Sequence, residues 1–261
     1  MSRPPQFVEA LLALPIPALA LFVIAFWGLI ALAVHRLLVP WITRHKAEAF
    51  GKFEAEVAAQ LGIVLGLLLS FNAVTVWEQS TAARDATMAE ASALRDIADL
   101  LPEIAPLQRD KVRTALQVYL AYVVHTEWPS LGNRPAGISR PAALRALAQL
   151  ARASGEEELR DAVAAAIKAR DDRIRIASAR MLPARWTIVM VLGALTLLSV
   201  GLVHAEYRRA RAVALAMLSF AIASCFVVLM AQARPFLGAL AIQPTELVTL
   251  HDELDAPAVA H

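Results

Sequence analysis

The run VAAQLGIVLGLLLSFNAVTVW, Val57 to Trp77, decides how the chain folds. It holds no Asp, Glu, Lys or Arg. At about 1.5 Å rise per residue it is long enough to cross a hydrocarbon core of roughly 30 Å. Gln60, Gly62, Gly66, Ser70, Asn72 and Thr75 interrupt it. A helix that only anchors a protein in lipid needs none of these. Polar groups are costly in hydrocarbon and turn to a neighbouring helix or to water. The run therefore reads as a transmembrane helix with a lipid side and a wet or protein-facing side.

Three further charge-free runs flank it in the chain: Ile16 to Val34, Trp186 to Val203 and Ala212 to Ala233. Pro15 and Pro17 suit the first turn of a helix, where a missing N–H has no partner to lose. That helix is expected to end near His35 and Arg36, with Trp27 and Trp41 near the headgroups. Composition agrees with a membrane protein: 58% of residues are hydrophobic, 18% are charged, and the mean hydropathy is +0.55. The N-terminal apolar run is too long for a cleaved signal and is expected to stay in the mature protein. A net charge of +2 with scattered basic residues argues against nucleic acid as a partner. The single cysteine, Cys225, lies in an apolar run and reads as a small buried hydrophobe.

Between the second and third runs, Glu78 to Arg180 is rich in Ala, Leu, Arg, Asp and Glu with apolar residues three and four apart. This is a helical pattern. The second membrane helix is expected to run on to Leu101, where Pro102 stops it. A helix from Leu107 to Trp128 follows, with Leu116, Tyr119, Leu120, Val123 and Val124 as its stripe, ended by Pro129. Another spans Ala142 to Ala153. Ser154 with Glu157 resembles a capping box opening a helix that reaches Leu182. The fold class is all-α. Residues 1–83 form a transmembrane hairpin with crossings at about 16–34 and 57–77. Residues 84–182 form a helical domain inserted between helices 2 and 3. Residues 183–234 form a second hairpin with crossings at about 186–203 and 212–233, and 235–261 form a tail. Four crossings put both termini and the inserted domain on one side. Basic residues of the loops nearly balance across the membrane, so charge alone leaves the orientation open.

The exit of the organising helix carries a resemblance. Val64-Leu65-Gly66, ten residues, then Trp77-Glu78-Gln79 is similar to the second membrane helix of the bestrophins. The step Arg234-Pro235-Phe236 resembles the segment after the last bestrophin helix. The chain resembles more closely a bacterial family described as bestrophin-like. That family combines the V-W-E-Q exit, an E-W-P such as Glu127-Trp128-Pro129, a basic run with L-P before the third crossing, and a final R-P-F-x-G ending at Gly238. The resemblance implies a homo-oligomeric anion channel, a pentamer in bestrophins, with the second helix lining the pore above a cytosolic helical vestibule. It implies a bacterial inner-membrane protein with termini and central domain cytoplasmic. Partners would be copies of itself, membrane lipid and small inorganic anions. Carried over without gaps, the neck positions are Ala59, Ile63 and Leu67, with Phe71 one turn on. Rings of apolar side chains gate a narrow pore by dewetting. The sequence departs from the bestrophin pattern in three ways. Ala59 is small, Leu67 stands where many bestrophins carry a bulky aromatic, and Thr75 and Val76 occupy positions where an arginine often precedes the tryptophan.

Each of these residues also has a plainer role. Ile63 and Leu67 suit lipid or a neighbouring helix equally well. Gly62 and Gly66 form a G-x-x-x-G pair of the kind used in close helix packing. Ser70, Asn72 and Thr75 offer hydrogen bonds to a passing anion or to another helix, and Asn72 is the strongest donor without a charge. Glu78 suits an ion pair with Arg84 or solvent. The basic run Arg170 to Arg185, with Arg173, Arg175 and Arg180, suits a vestibule that attracts anions, anionic headgroups, or pairing with acids of adjacent helices. No catalytic motif, phosphate-binding glycine loop or carboxylate pair in a crossing is present, so enzyme activity is not expected. His125 and Glu127 lack a third metal ligand, and no cofactor is implied. The rival to a channel is a membrane-anchored interaction or sensor protein whose helical domain docks partners.

Overall fold

A computed structural model describes residues 14–44, 55–132, 139–179, 183–238 and 240–256. Among the described residues every regular element is a helix. In chain order they are α1 (Ile16–Ala33), α2 (Val39–Thr43), α3 (Ala55–Asp99), α4 (Pro106–Tyr122) and α5 (Trp128–Leu131). Then come α6 (Ala142–Ser154), α7 (Glu157–Ser178), α8 (Pro183–Val203), α9 (Arg208–Gln232) and α10 (Thr245–Asp255). Four helical stretches are long and apolar enough to cross a membrane: Ile16–Thr43, Ala55–Glu103, Arg185–Val203 and Arg208–Gln232. The chain is a membrane protein.

Prolines shape two of these helices in a way the sequence does not announce. The first helix does not end at His35 and Arg36. A π-helical turn over Val34–Leu38 carries it into α2, past Pro40. Likewise the helix begun at Pro106 does not stop at Pro129, because a π-helical turn over Val123–Glu127 carries it to Leu131. A proline ring clashes with the carbonyl four residues back and supplies no N–H. Widening the preceding turn by one residue relieves both faults and lets the rod continue. Pro102 does end α3, in the short 3₁₀ turn Leu101–Glu103. The expected capping box is absent. Gly155, at φ 78°, ends α6 in the left-handed region. Ser154 Oγ donates to Ala151 O and accepts from Glu156 N–H. The helix after it runs to Ser178; residues 180–182 lie outside the described set.

The chain divides into two compact units. One holds the residues up to Glu78 and those from Arg180 to Ala233. Its core is built on α1, whose Leu19, Val23, Trp27 and Ala31 recur every fourth residue and are all buried. Trp27 is fully buried, not at the headgroup level expected for it. Its ring lies 5.2 Å from that of Phe226. It also presses on α8 at Gly193, where a Cβ would come within 2.5 Å of the indole. Trp41 is exposed, as a boundary residue should be. Cys225 is exposed, not buried: it lies on the outer side of α9, away from Ile222, Ala223 and Phe226.

The other unit holds Gln79–Ala179 and the residues from Arg234 onward. Leu94 and Ile97 of α3, Leu116, Tyr119 and Leu120 of α4, and Leu144 and Leu147 of α6 form its centre with Leu159 and Val163 of α7. The C-terminal stretch, expected as a tail, belongs to this core. Leu247 and Leu250 of α10 are buried in it. The carbonyl of Leu254 accepts from Arg113 Nη2 at 3.0 Å and from Gln117 Nε2 at 2.9 Å.

Candidate functional site

Within the membrane unit, α3 is the least covered of the four spanning helices. Only 6% of its most apolar window is buried, against 22 to 39% for the others. Ala58, Leu65 and Val76 turn inward. The opposite side carries Ala59, Ile63, Leu67 and Phe71, one helical turn apart, and all are exposed. Ile63 is 70% exposed, Leu67 54% and Phe71 61%. A side chain added at Gly62 or Gly66 would meet nothing within 4 Å. Among the described residues, no other helix of this chain closes on the two glycines.

The polar residues of the same helix turn to their own backbone. Ser70 Oγ donates to Gly66 O at 2.9 Å, and Thr75 Oγ1 donates to Phe71 O at 2.9 Å. Asn72 Nδ2 donates to Leu68 O at 2.8 Å. The two hydroxyls thus present lone pairs outward, whereas the Asn72 amide keeps a second N–H. Trp77 and Glu78 are exposed at the exit, and Arg84 is exposed as well.

The helical unit contains a buried charge cluster that sequence reasoning did not assemble. Glu90, Glu127, Arg170 and Arg173 are at most 1% exposed. Arg173 Nε donates to Glu90 Oε2 at 2.6 Å, and its Nη2 donates to Glu127 Oε1 at 2.7 Å. Arg170 Nε donates to Glu127 Oε2 at 3.1 Å. The Tyr119 hydroxyl donates to Glu90 Oε1 at 2.6 Å. Trp128 places its ring 5.0 Å from the Arg173 guanidinium carbon. Two cations and two anions cancel, and bidentate geometry offsets the loss of water. Burial opposes the charge on Arg173, but Glu90 and Glu127 more than offset it and raise its pKa. Burial and the nearby Glu90 carboxylate push the Tyr119 phenol well above 10.

Of the roles weighed for Arg173, this cluster shows pairing with acids of adjacent helices and overturns the vestibule. Its charge is enclosed and neutralised within the chain, leaving none to draw anions into a vestibule. Arg175 is 75% exposed and pairs with Asp172 at 2.8 Å. Arg180 lies outside the described residues. A periodic signal for the cluster was present in the sequence. Ala83, Thr87, Glu90, Leu94 and Ile97 make one buried stripe, and Leu116, Leu120, Val123, Glu127 and Leu131 make another. Val163, Ala166, Arg170, Arg173 and Ala177 make the third. Each buried charge occupies a position where the three-four spacing calls for an apolar residue.

Two short motifs far apart in the chain meet in the same unit. Trp128 stacks edge-on against Phe236 at 5.5 Å, and its Nε1 donates to Ile242 O at 3.2 Å. Arg234 Nη2 donates to Gly132 O at 2.6 Å. A Cβ at Gly132 would stand 2.9 Å from Phe236 O. The Glu127-Trp128-Pro129 and Arg234-Pro235-Phe236 motifs are thus two halves of one joint.

Comparison with protein families matches residues 22–247 to the bestrophin-like domain. The chain belongs to the bestrophin-like family. The match runs from α1 into α10 and takes in both units of this bestrophin-like protein. Comparison with curated proteins and with solved structures gave no significant match.

Proposed function

We propose that this bestrophin-like protein is a homo-oligomeric channel that passes small inorganic anions, chloride foremost, passively across the bacterial inner membrane. Copies of α3 gather about a common axis, five being the number favoured by the family resemblance, with termini and helical unit in the cytoplasm. The observation that carries this reading is the uncovered side of α3. Ile63, Leu67 and Phe71 stand free within the chain, and Gly62 and Gly66 leave room for another backbone to approach. A helix that only met lipid would gain nothing from two bare glycines and an amide on its surface. In the assembly, Ala59, Ile63, Leu67 and Phe71 form an apolar constriction that gates by dewetting. Asn72 lies just beyond it, with one N–H available to an anion. Ser70 and Thr75 line the same wall and contribute oxygen lone pairs, which weakens any fixed anion site and suits passage over capture.

The test is planar-bilayer recording of purified protein under a chloride gradient. Currents that reverse near the chloride equilibrium potential are expected. Reversal near zero or at the cation limit rejects anion selectivity. Silence under all conditions favours the anchored interaction protein instead.

A further inference from the structure

A cleft of about 310 Å³ lies within the membrane unit between α1 and α9. Its walls include Gly28, Leu32, Ala212, Ala216 and Phe220, all exposed on the outside of the chain, and His35 closes one end. From Ile24 on α1 to His35 in the π-helical turn that follows, the cleft runs for roughly 16 Å at about 1.5 Å per residue. That is about half of a 30 Å hydrocarbon core, the depth of one leaflet. The walls are mostly apolar and rich in small residues, with Gly28, Ala31, Ala212 and Ala216 among them.

The closed end is built differently. Arg211 is buried, donating through Nε to His35 Nδ1 at 3.2 Å and through Nη1 to Ala205 O at 3.0 Å. Because Nδ1 accepts, it carries no hydrogen, and the proton of the neutral imidazole sits on Nε2. Arg36 and Arg208 are exposed, one helical turn beyond the lining residues Leu32 and Ala212. Among the described residues at this end, Arg36, Arg208, Arg209 and Arg211 outnumber the carboxylates, Glu56 at the start of α3 and Glu206 on the α8–α9 loop. A one-leaflet apolar cleft with a cationic end complements one kind of molecule in a bilayer.

We propose that this cleft is a binding site for an anionic phospholipid. One acyl chain lies between α1 and α9, and the phosphate is met by Arg36, Arg208 and the Nε2–H of His35. Charge complementarity selects a lipid phosphate as the occupant, because α1 and α9, the two helices that form the cleft, carry no acid to answer these arginines. The site is independent of whether the protein conducts.

Native mass spectrometry of the full-length protein, with dioleoyl-phosphatidylglycerol and dioleoyl-phosphatidylcholine added in equal amounts, tests it. The anionic lipid should be retained preferentially. Combining Arg36→Ala with Arg208→Ala should reduce that preference roughly tenfold or more. Both arginines are exposed, so the fold does not depend on them. Gly28→Leu places a side chain into the cleft from a lining position where an added Cβ meets nothing within 4 Å, and should reduce retention of both lipids. Equal retention of the two lipids by the unaltered protein overturns the proposal, as does an unchanged preference in the double arginine variant. So does a Gly28→Leu variant that keeps its lipid but loses oligomeric mass, because a sister subunit then occupies the cleft.

Discussion

Glu127 accepts from both Arg170 and Arg173 in a core where no water competes. Removing one member of a buried ion group strands the others, at about 3–5 kcal/mol. Glu127→Gln should therefore lower the thermal unfolding midpoint in detergent by several degrees or more. A midpoint unchanged by the substitution would remove the cluster from the structural account. Tyr119 adds a pH dependence. Its pKa is raised in the folded state, so its contribution is complete below the ordinary value of 10 and is lost as pH rises towards the folded value. Above about pH 10 the unaltered protein should lose stability more steeply than Tyr119→Phe. At neutral pH the Phe variant should be weaker by about 1–3 kcal/mol for the lost hydrogen bond to Glu90. Denaturant unfolding at both pH values separates the two effects. Sequence shows all these charges but gives them a solvated face by default. Only their register against the apolar stripes marks them as buried, and their partners come from helices 29 to 83 residues away.

At the scale of the element, the four spans were legible because a charge-free run of that length has few other readings. The long α3 was legible too, through its unbroken three-four pattern up to Pro102. The continuation of helices past Pro40 and Pro129 was not. Local rules place a stop before a proline, whereas the chain inserts a π turn and keeps the rod intact. The uncovered side of α3 gives a sharp test of the proposed constriction. Leu67→Ala removes a side chain that is 54% exposed and packs little within the chain, so protein yield and midpoint should stay nearly constant. Single-channel conductance should rise, because a wider and less apolar ring stays wet. An unaltered conductance in an active channel would take Leu67 out of the constriction. Bringing a bulky residue to Gly66 has the opposite reading. At Gly66 an added Cβ meets no described atom within 4 Å, so a loss of oligomer by Gly66→Leu in native mass spectrometry would assign that surface to contacts between subunits.

For the whole molecule, the family and its membrane character were readable from the ends of two helices and the motif after the last span. The partition into units was less so. The C-terminal residues were expected to trail, because nothing local in Thr245–Asp255 names a partner more than 100 residues upstream. Their burial against α4 has a consequence for biosynthesis. Leu247 and Leu250 complete a core most of whose walls were translated before the third and fourth spans. That core stays open until α10 has left the ribosome. Every earlier helix of the unit must wait, unsealed, through the insertion of the last hairpin, and a stop codon placed at Pro244 would yield a protein correctly threaded through lipid yet never closed on its soluble side.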